Sequence, residues 1–150
     1  MKNTLLYIDD ENSNLIVFKA SFSKDYTVFT VSNTSDALKI LRTESVKIIL
    51  ADYKMPEEDG ISFISRINEE FPDIIKILIT AYAETDVAIK AVNSHAFYAF
   101  VLKPWNYNEL AITLRNAIEK YDFQIERKVL IEKLKESYIK EKKANEVFPF

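Results

Sequence analysis

The sequence predicts an α/β fold in which a five-stranded parallel sheet is doubly wound, with helices on both faces, and three observations carry that prediction. Apolar runs rich in β-branched residues recur five times, segments with apolar residues every three or four positions separate them, and two of the runs are apolar almost without interruption. The last feature is what strands covered on both faces require.

Taken in order, the runs are Thr4 to Ile8, Tyr26 to Val31, Val46 to Ala51, Ile75 to Thr80 and Ala99 to Leu102. The third and fourth, Lys47 to Ala51 and Ile75 to Ile79, are the nearly continuous ones and are assigned to the centre of the sheet. Between the runs, Leu15, Ile16, Phe18 and Phe22 predict a first helix, and Ala37, Leu38, Ile40 and Leu41 a second. Ile61, Phe63, Ile64, Ile67 and Phe71 predict a third, closed by Phe71-Pro72-Asp73, and Val87, Ala88, Ala91 and Val92 a fourth. Capping residues crowd Asn33 to Asp36 ahead of the second helix.

The last helix starts near Tyr107 and does not stop where a covering helix should. Leu110, Leu114, Ile118, Tyr121 and Ile125 keep the helical spacing, and Leu130, Leu134 and Tyr138 continue it without a Gly or Pro before Pro149. Charge changes with it, because residues 1–123 carry 13 basic and 18 acidic groups whereas Gln124 to Lys143 carries seven basic and four acidic ones. The expected organisation is a globular domain over 1–122 and a helical extension or linker over 123–150. The extension reads either as a coiled-coil connection, to itself or to a partner, or as a solvated charged tail. Val147 to Phe150 reads like a cut end or a short docking tail, with no output domain in the chain.

Composition narrows the function classes. With 48% hydrophobic and 29% charged residues, the 150-residue chain has the make-up of one folded soluble domain with an appendage. No stretch approaches the roughly 20 apolar residues that cross a bilayer, and the N-terminus is unlike a signal peptide, so a cytoplasmic protein without a membrane partner is expected. The absence of cysteine excludes disulfides, thiolate metal sites and Cys nucleophiles. A net charge of −3 gives no reason to expect direct nucleic-acid binding. The only glycine, Gly60, leaves no room for a Gly-rich phosphate loop.

Chemistry concentrates where the runs end. Asp9 and Asp10 follow the first, Asp52 closes the third, and Thr80 and Lys103 follow the fourth and fifth. In an open parallel sheet these are carboxyl ends, where such folds place their sites. Three gathered carboxylates repel unless a cation neutralises them, and all-oxygen ligation points to Mg²⁺, with Mn²⁺ as the alternative. Asp52 stands alone and is the better nucleophile, able to become an aspartyl phosphate, while the Asp9 and Asp10 pair suits metal holding. Lys103 and Thr80 would set a cation and a hydroxyl against the transferred oxygens. Each residue alone has a bland reading, as a turn, β-former or loop residue. Their joint placement is what argues for a site. His95, the sole histidine, reads as a surface residue or a cation at a helix C-terminus.

Asp9-Asp10-Glu11, then Asp52 to Gly60, then Thr80-Ala81, then Lys103-Pro104, in that order, resemble the receiver domain of two-component response regulators over Asn3 to about Tyr121. The resemblance implies a (βα)5 flavodoxin-like fold with strand order 2-1-3-4-5, and Asp52 as phosphoacceptor. Asp10 and Asp52 would supply the Mg²⁺ carboxylates with Asp9 assisting, and the backbone carbonyl of Lys54 would complete the protein ligands. Thr80 and Lys103 would bind the phosphoryl group. It further implies a sensor histidine kinase or phosphotransfer protein as donor, and a downstream output domain or protein as target. A switch would couple Thr80 to Phe100 and signal through the fourth helix, fifth strand and fifth helix. Homodimerisation would run through the C-terminal helix. Such a module is no enzyme beyond catalysing its own phosphorylation and dephosphorylation.

Some positions depart from the family's commonest pattern. Glu58 stands where a hydrophobic residue is frequent, Asn93 to Ala96 lacks a glycine, and Phe100 cannot hydrogen-bond as a switch tyrosine would. Lys54 and Tyr82 lie two residues after Asp52 and Thr80, where side chains can screen a phosphoryl group from water and lengthen its lifetime. The Tyr98 to Trp105 stretch with its long helix resembles receivers that head cyclic-di-GMP phosphodiesterases or transcription activators, or that belong to hybrid kinases. Two other readings compete: a phosphorylation-independent dimerisation or interaction module, and a phosphatase-type hydrolase. The hydrolase would want a general acid where Lys54 stands.

Overall fold

A computed structural model describes residues 1–81 and 85–147. Five strands alternate with five helices: β1 (Asn3–Ile8), α1 (Asn12–Phe22), β2 (Tyr26–Val31), α2 (Thr34–Thr43), β3 (Ile48–Asp52), α3 (Gly60–Ile67), β4 (Ile75–Thr80), α4 (Thr85–Ser94), β5 (Ala99–Leu102) and α5 (Tyr107–Val147). The strands form one parallel sheet in the order β2-β1-β3-β4-β5, the topology expected. β3 and β4 are buried at every position, as near-continuous apolar runs should be in the sheet centre.

Alternation along the strands sorts the core into two layers. Leu5 and Tyr7 of β1, Ile48 and Leu50 of β3, and Ile75, Ile77 and Ile79 of β4 face α1 and α5, meeting Leu15, Phe18, Phe22, Leu110, Leu114 and Ile118. Leu6, Ile8, Ile49 and Ala51 face α2 and α3, meeting Ala37, Leu41, Phe63, Ile64 and Ile67. Leu78 packs with Ile61 and with Val87 and Ala91 of α4. The same parity rule places Asp9 with Tyr7, and Asp52 with Leu50.

The starts of α2 and α3 follow their caps. The Asn33 side chain accepts from the Asp36 N–H at 2.8 Å, and the Asp59 side chain accepts from the Ser62 N–H at 2.7 Å. The third helix was expected to run to Phe71, but its regular part ends at Ile67, and residues 68–70 form a turn. This turn supplies the acceptors for Lys76, a charged residue inside a buried strand, which donates to the Asn68 side chain at 2.7 Å and to the Phe71 carbonyl at 2.6 Å. Burial also pulls the Lys76 pKa down to about 8.

Gly60 opens α3 directly against the acceptor strand. A Cβ there would stand 2.2 Å from the Asp52 carbonyl oxygen, so only glycine lets the helix approach. Its N–H donates to the Tyr53 carbonyl at 2.8 Å, closing the 53–60 loop. His95, just past α4, has φ 54°, a left-handed conformation where glycine is easier. The Lys103–Pro104 peptide bond is cis.

α5 is 41 residues long, roughly 60 Å at helical rise. Its first part is buried through Ile118, and past Ile125 every described side chain to Asn145 is exposed. Where it leaves the sheet it is tied down. Lys47 pairs with Asp122 at 2.7 Å, Gln124 donates to the Asp73 carbonyl at 3.1 Å, and Lys128 pairs with Asp73 at 2.6 Å.

Candidate functional site

The strand order brings the carboxyl ends of β1, β3, β4 and β5 side by side. There Asp9, Asp10 and Asp52 each present a carboxylate oxygen, all within 4.8 Å of one another. Asp9 is fully buried, Asp52 is nearly so, and Asp10 is exposed. The Lys103 ammonium lies between the buried pair, 2.8 Å from Asp9 and 3.1 Å from Asp52. Above them opens a cleft of about 650 Å³ lined by Asp10, Asp52, Lys54, Met55, Ala81 and Lys103, among others.

The electrostatics follow from burial and neighbours. Burial raises the Asp52 pKa, the charge of Asp9 raises it further, and Lys103 offsets only part, leaving it at about 6. For Asp9 burial acts in the same direction but loses to the hydrogen bonds from Lys103, Tyr7 and the Glu11 N–H and to the Lys103 charge. Its Oδ2 accepts from the Tyr7 hydroxyl at 2.5 Å, Lys103 Nζ at 2.8 Å and Asn14 Nδ2 at 3.1 Å, and its Oδ1 from the Glu11 N–H at 2.9 Å. Its pKa therefore falls below the ordinary carboxylate value. Lys103 loses charge stability to burial and regains more from its two carboxylates, so its pKa rises.

Thr80, fully buried, ends β4 in register with Leu102, and its carbonyl accepts the Lys103 N–H at 2.9 Å. Lys54 is exposed on the cleft wall. Phe100 stands apart from the cleft: it is 36% exposed and lines a separate groove of about 400 Å³ between β5 and α5, with Leu102, Trp105 and Thr113 among its neighbours. Tyr82 lies outside the described residues. Sequence reasoning passed over Tyr7, Asn14 and the Glu11 N–H, all three of which hold Asp9. Strand parity was the available signal for Tyr7, because residues 7 and 9 share a face.

The donor set fits a hard divalent cation. It is all oxygen, it carries more negative charge than Lys103 neutralises, and two of its carboxylates open onto a water-accessible cleft. Chemically, the arrangement offers a poorly solvated carboxylate as nucleophile with a fixed cation beside it.

The chain matches the family model of the response regulator receiver domain over residues 5–115. It is 34% identical over 126 residues to the hydrogenase transcriptional regulatory protein HoxA of Bradyrhizobium diazoefficiens, covering 84% of this chain and 26% of that protein. The chain thus spans only about a quarter of the length of the hydrogenase regulators it matches. Among solved structures, the signal receiver domain of an HD domain-containing protein from Pseudomonas fluorescens Pf-5 is similar with TM-score 0.77 at 26% identity, over 81% of this chain and 98% of that one. The beryllofluoride-activated NtrC4 receiver domain dimer is similar with TM-score 0.73 at 31% identity, over 79% and 98%.

Proposed function

Since the chain belongs to the response regulator receiver domain family, we propose that it is a phosphorylation-driven signalling module in which Asp52 accepts a phosphoryl group from a phosphohistidine on a sensor kinase or phosphotransfer protein. One observation carries the reading: the Lys103 ammonium sits 3.1 Å from a buried Asp52 at the floor of an open acidic cleft.

In the transfer, an Asp52 carboxylate oxygen forms the new bond to phosphorus as the phosphorus–nitrogen bond of the donor imidazole breaks, and the imidazole leaves with the bonding pair. Asp52 is ionised at neutral pH, since its pKa of about 6 lies below 7. Lys103 follows the charge from the carboxylate to the phosphoryl oxygens, and Thr80, one strand over, supplies a hydroxyl to them. Asp10 and Asp52, with the Lys54 carbonyl and Asp9 assisting, would hold Mg²⁺ or Mn²⁺, which when bound neutralises the carboxylates and the incoming phosphate. Lys54, and Tyr82 beyond the described residues, would screen the product from water.

Signal leaves through the face of α4, β5 and α5, whose exposed apolar residues are Ile89 on α4, Phe100 and Leu102 on β5 and Ile112 on α5, with Tyr98 just before β5. Residues 1–122 form the receiver proper and 123–150 the extension that links it to a downstream domain or protein. Phe123, Leu130, Ile131, Leu134 and Tyr138 fall within about a 100° arc of the projecting α5, a stripe suited to pairing with the same helix of a second copy. Self-association as such is supported by the similarity to a receiver domain that forms a dimer.

Beryllofluoride with Mg²⁺, a stable stand-in for the phosphoryl group, tests the assignment by NMR. Amide resonances of Thr80 and Lys103 should shift in the wild type and stay put in Asp52→Ala; equal shifts in both would remove Asp52 from the role.

A further inference from the structure

The hydroxyl of Tyr7 is the one polar atom that β1 sends from the core into the acidic cluster. The Tyr7 ring is fully buried and packs on Phe18 with centroids 4.8 Å apart, so the side chain is fixed by the α1 layer and its hydroxyl has a fixed target. That target is Asp9 Oδ2 at 2.5 Å, the same oxygen that Lys103 and Asn14 address. The Glu11 N–H addresses Oδ1, so three of these four donors crowd Oδ2. Asp10 and Asp52 line the cleft, whereas Asp9 is fully buried beneath it.

These donors differ in how they respond to a cation. An arriving divalent ion repels the Lys103 ammonium, and a phosphoryl group on Asp52 draws it away. The Tyr7 hydroxyl is neutral and locked by packing, so it stays. Asp9 is then held by a donor that spreads the charge of its Oδ2.

Resting on the receiver reading above, we propose that Tyr7 is a positioning residue whose hydroxyl draws charge from the Asp9 carboxylate and thereby weakens and tunes the cleft's affinity for its divalent cation. Asp10 and Asp52 remain the carboxylates that meet the ion, and Asp9 acts on it from behind, through its charge. Tyr7→Phe removes the hydroxyl and keeps the ring, so the core against Phe18 is preserved.

Manganese binding to the full chain, read by electron paramagnetic resonance of the free ion and repeated for Mg²⁺ by calorimetry, tests this without any phosphorylation. Tyr7→Phe should tighten Mn²⁺ binding about threefold to tenfold, a fraction of what a charge-assisted hydrogen bond is worth. Asp9→Asn alone should still bind, and adding Tyr7→Phe to it should change nothing, because the hydroxyl acts through the carboxylate. A purely structural role for Tyr7 would lower the melting temperature and leave the dissociation constant where it was. Unchanged or weaker binding in Tyr7→Phe, an equal gain in the Asp9→Asn background, or loss of all binding in Asp9→Asn would each overturn the inference while leaving the receiver reading standing. No binding by the wild type would remove the metal site and this inference together.

Discussion

At Asp52 the fold keeps a carboxylate where burial and the charge of Asp9 both oppose ionisation, and the pKa of about 6 measures that opposition. Because the folded pKa exceeds the unfolded one, the native state binds more protons than the unfolded chain between about pH 4 and 6. Stability therefore falls as pH rises through that window and stays lower above it. Asp52→Asn should raise stability at pH 7.5 in metal-free buffer by on the order of 2 kcal/mol, and the gain should shrink toward pH 4, as paired urea melts would show. A gain that grew on acidification would contradict the electrostatic account. The five polar residues at strand ends were legible in the sequence, since each follows an apolar run. The donors to Asp9 were less so: Tyr7 passes for an ordinary strand aromatic, and Asn14 reaches back to Asp9 at 3.1 Å only because α1 begins at Asn12.

Among the elements, α5 joins two environments in one unbroken helix. Its buried start covers the sheet, and its exposed end carries apolar residues that none of the described residues covers, Leu134 at 69% exposure among them. Ion pairs to Lys47 and Asp73 fix the direction in which it leaves the globule. If the stripe pairs two copies, Leu134→Glu should shift the chain from dimer to monomer in sedimentation equilibrium while leaving its melting transition nearly unchanged. A wild type that is already monomeric at high concentration would end the pairing idea. The helix's length was readable from its spacing and its lack of breakers. The pairing of Lys76 with the turn after α3 was not, because Lys76 reads as one charge within a strand, and nothing in the linear sequence shows that it captures Asn68 and the Phe71 carbonyl.

For the molecule as a whole, the parallel sheet is what turns residues far apart in sequence into one site: Asp9 and Lys103 are 94 positions apart and 2.8 Å from each other. The alternation of strand and helix patterns gave the fold class, and the order 2-1-3-4-5 came with the family resemblance, since periodicity alone does not say which strands are neighbours. The placement of the carboxyl ends then follows from a parallel sheet in which every crossover is a helix. The signalling role proposed for the cleft depends on Asp52 taking up phosphate. The most direct measurement is intact mass after incubation with acetyl phosphate, with and without Mg²⁺. The wild type should gain the mass of one phosphoryl group only when Mg²⁺ is present, and Asp52→Ala should gain none; a wild type that stays unmodified, or an Asp52→Ala chain that is modified equally, would contradict the account.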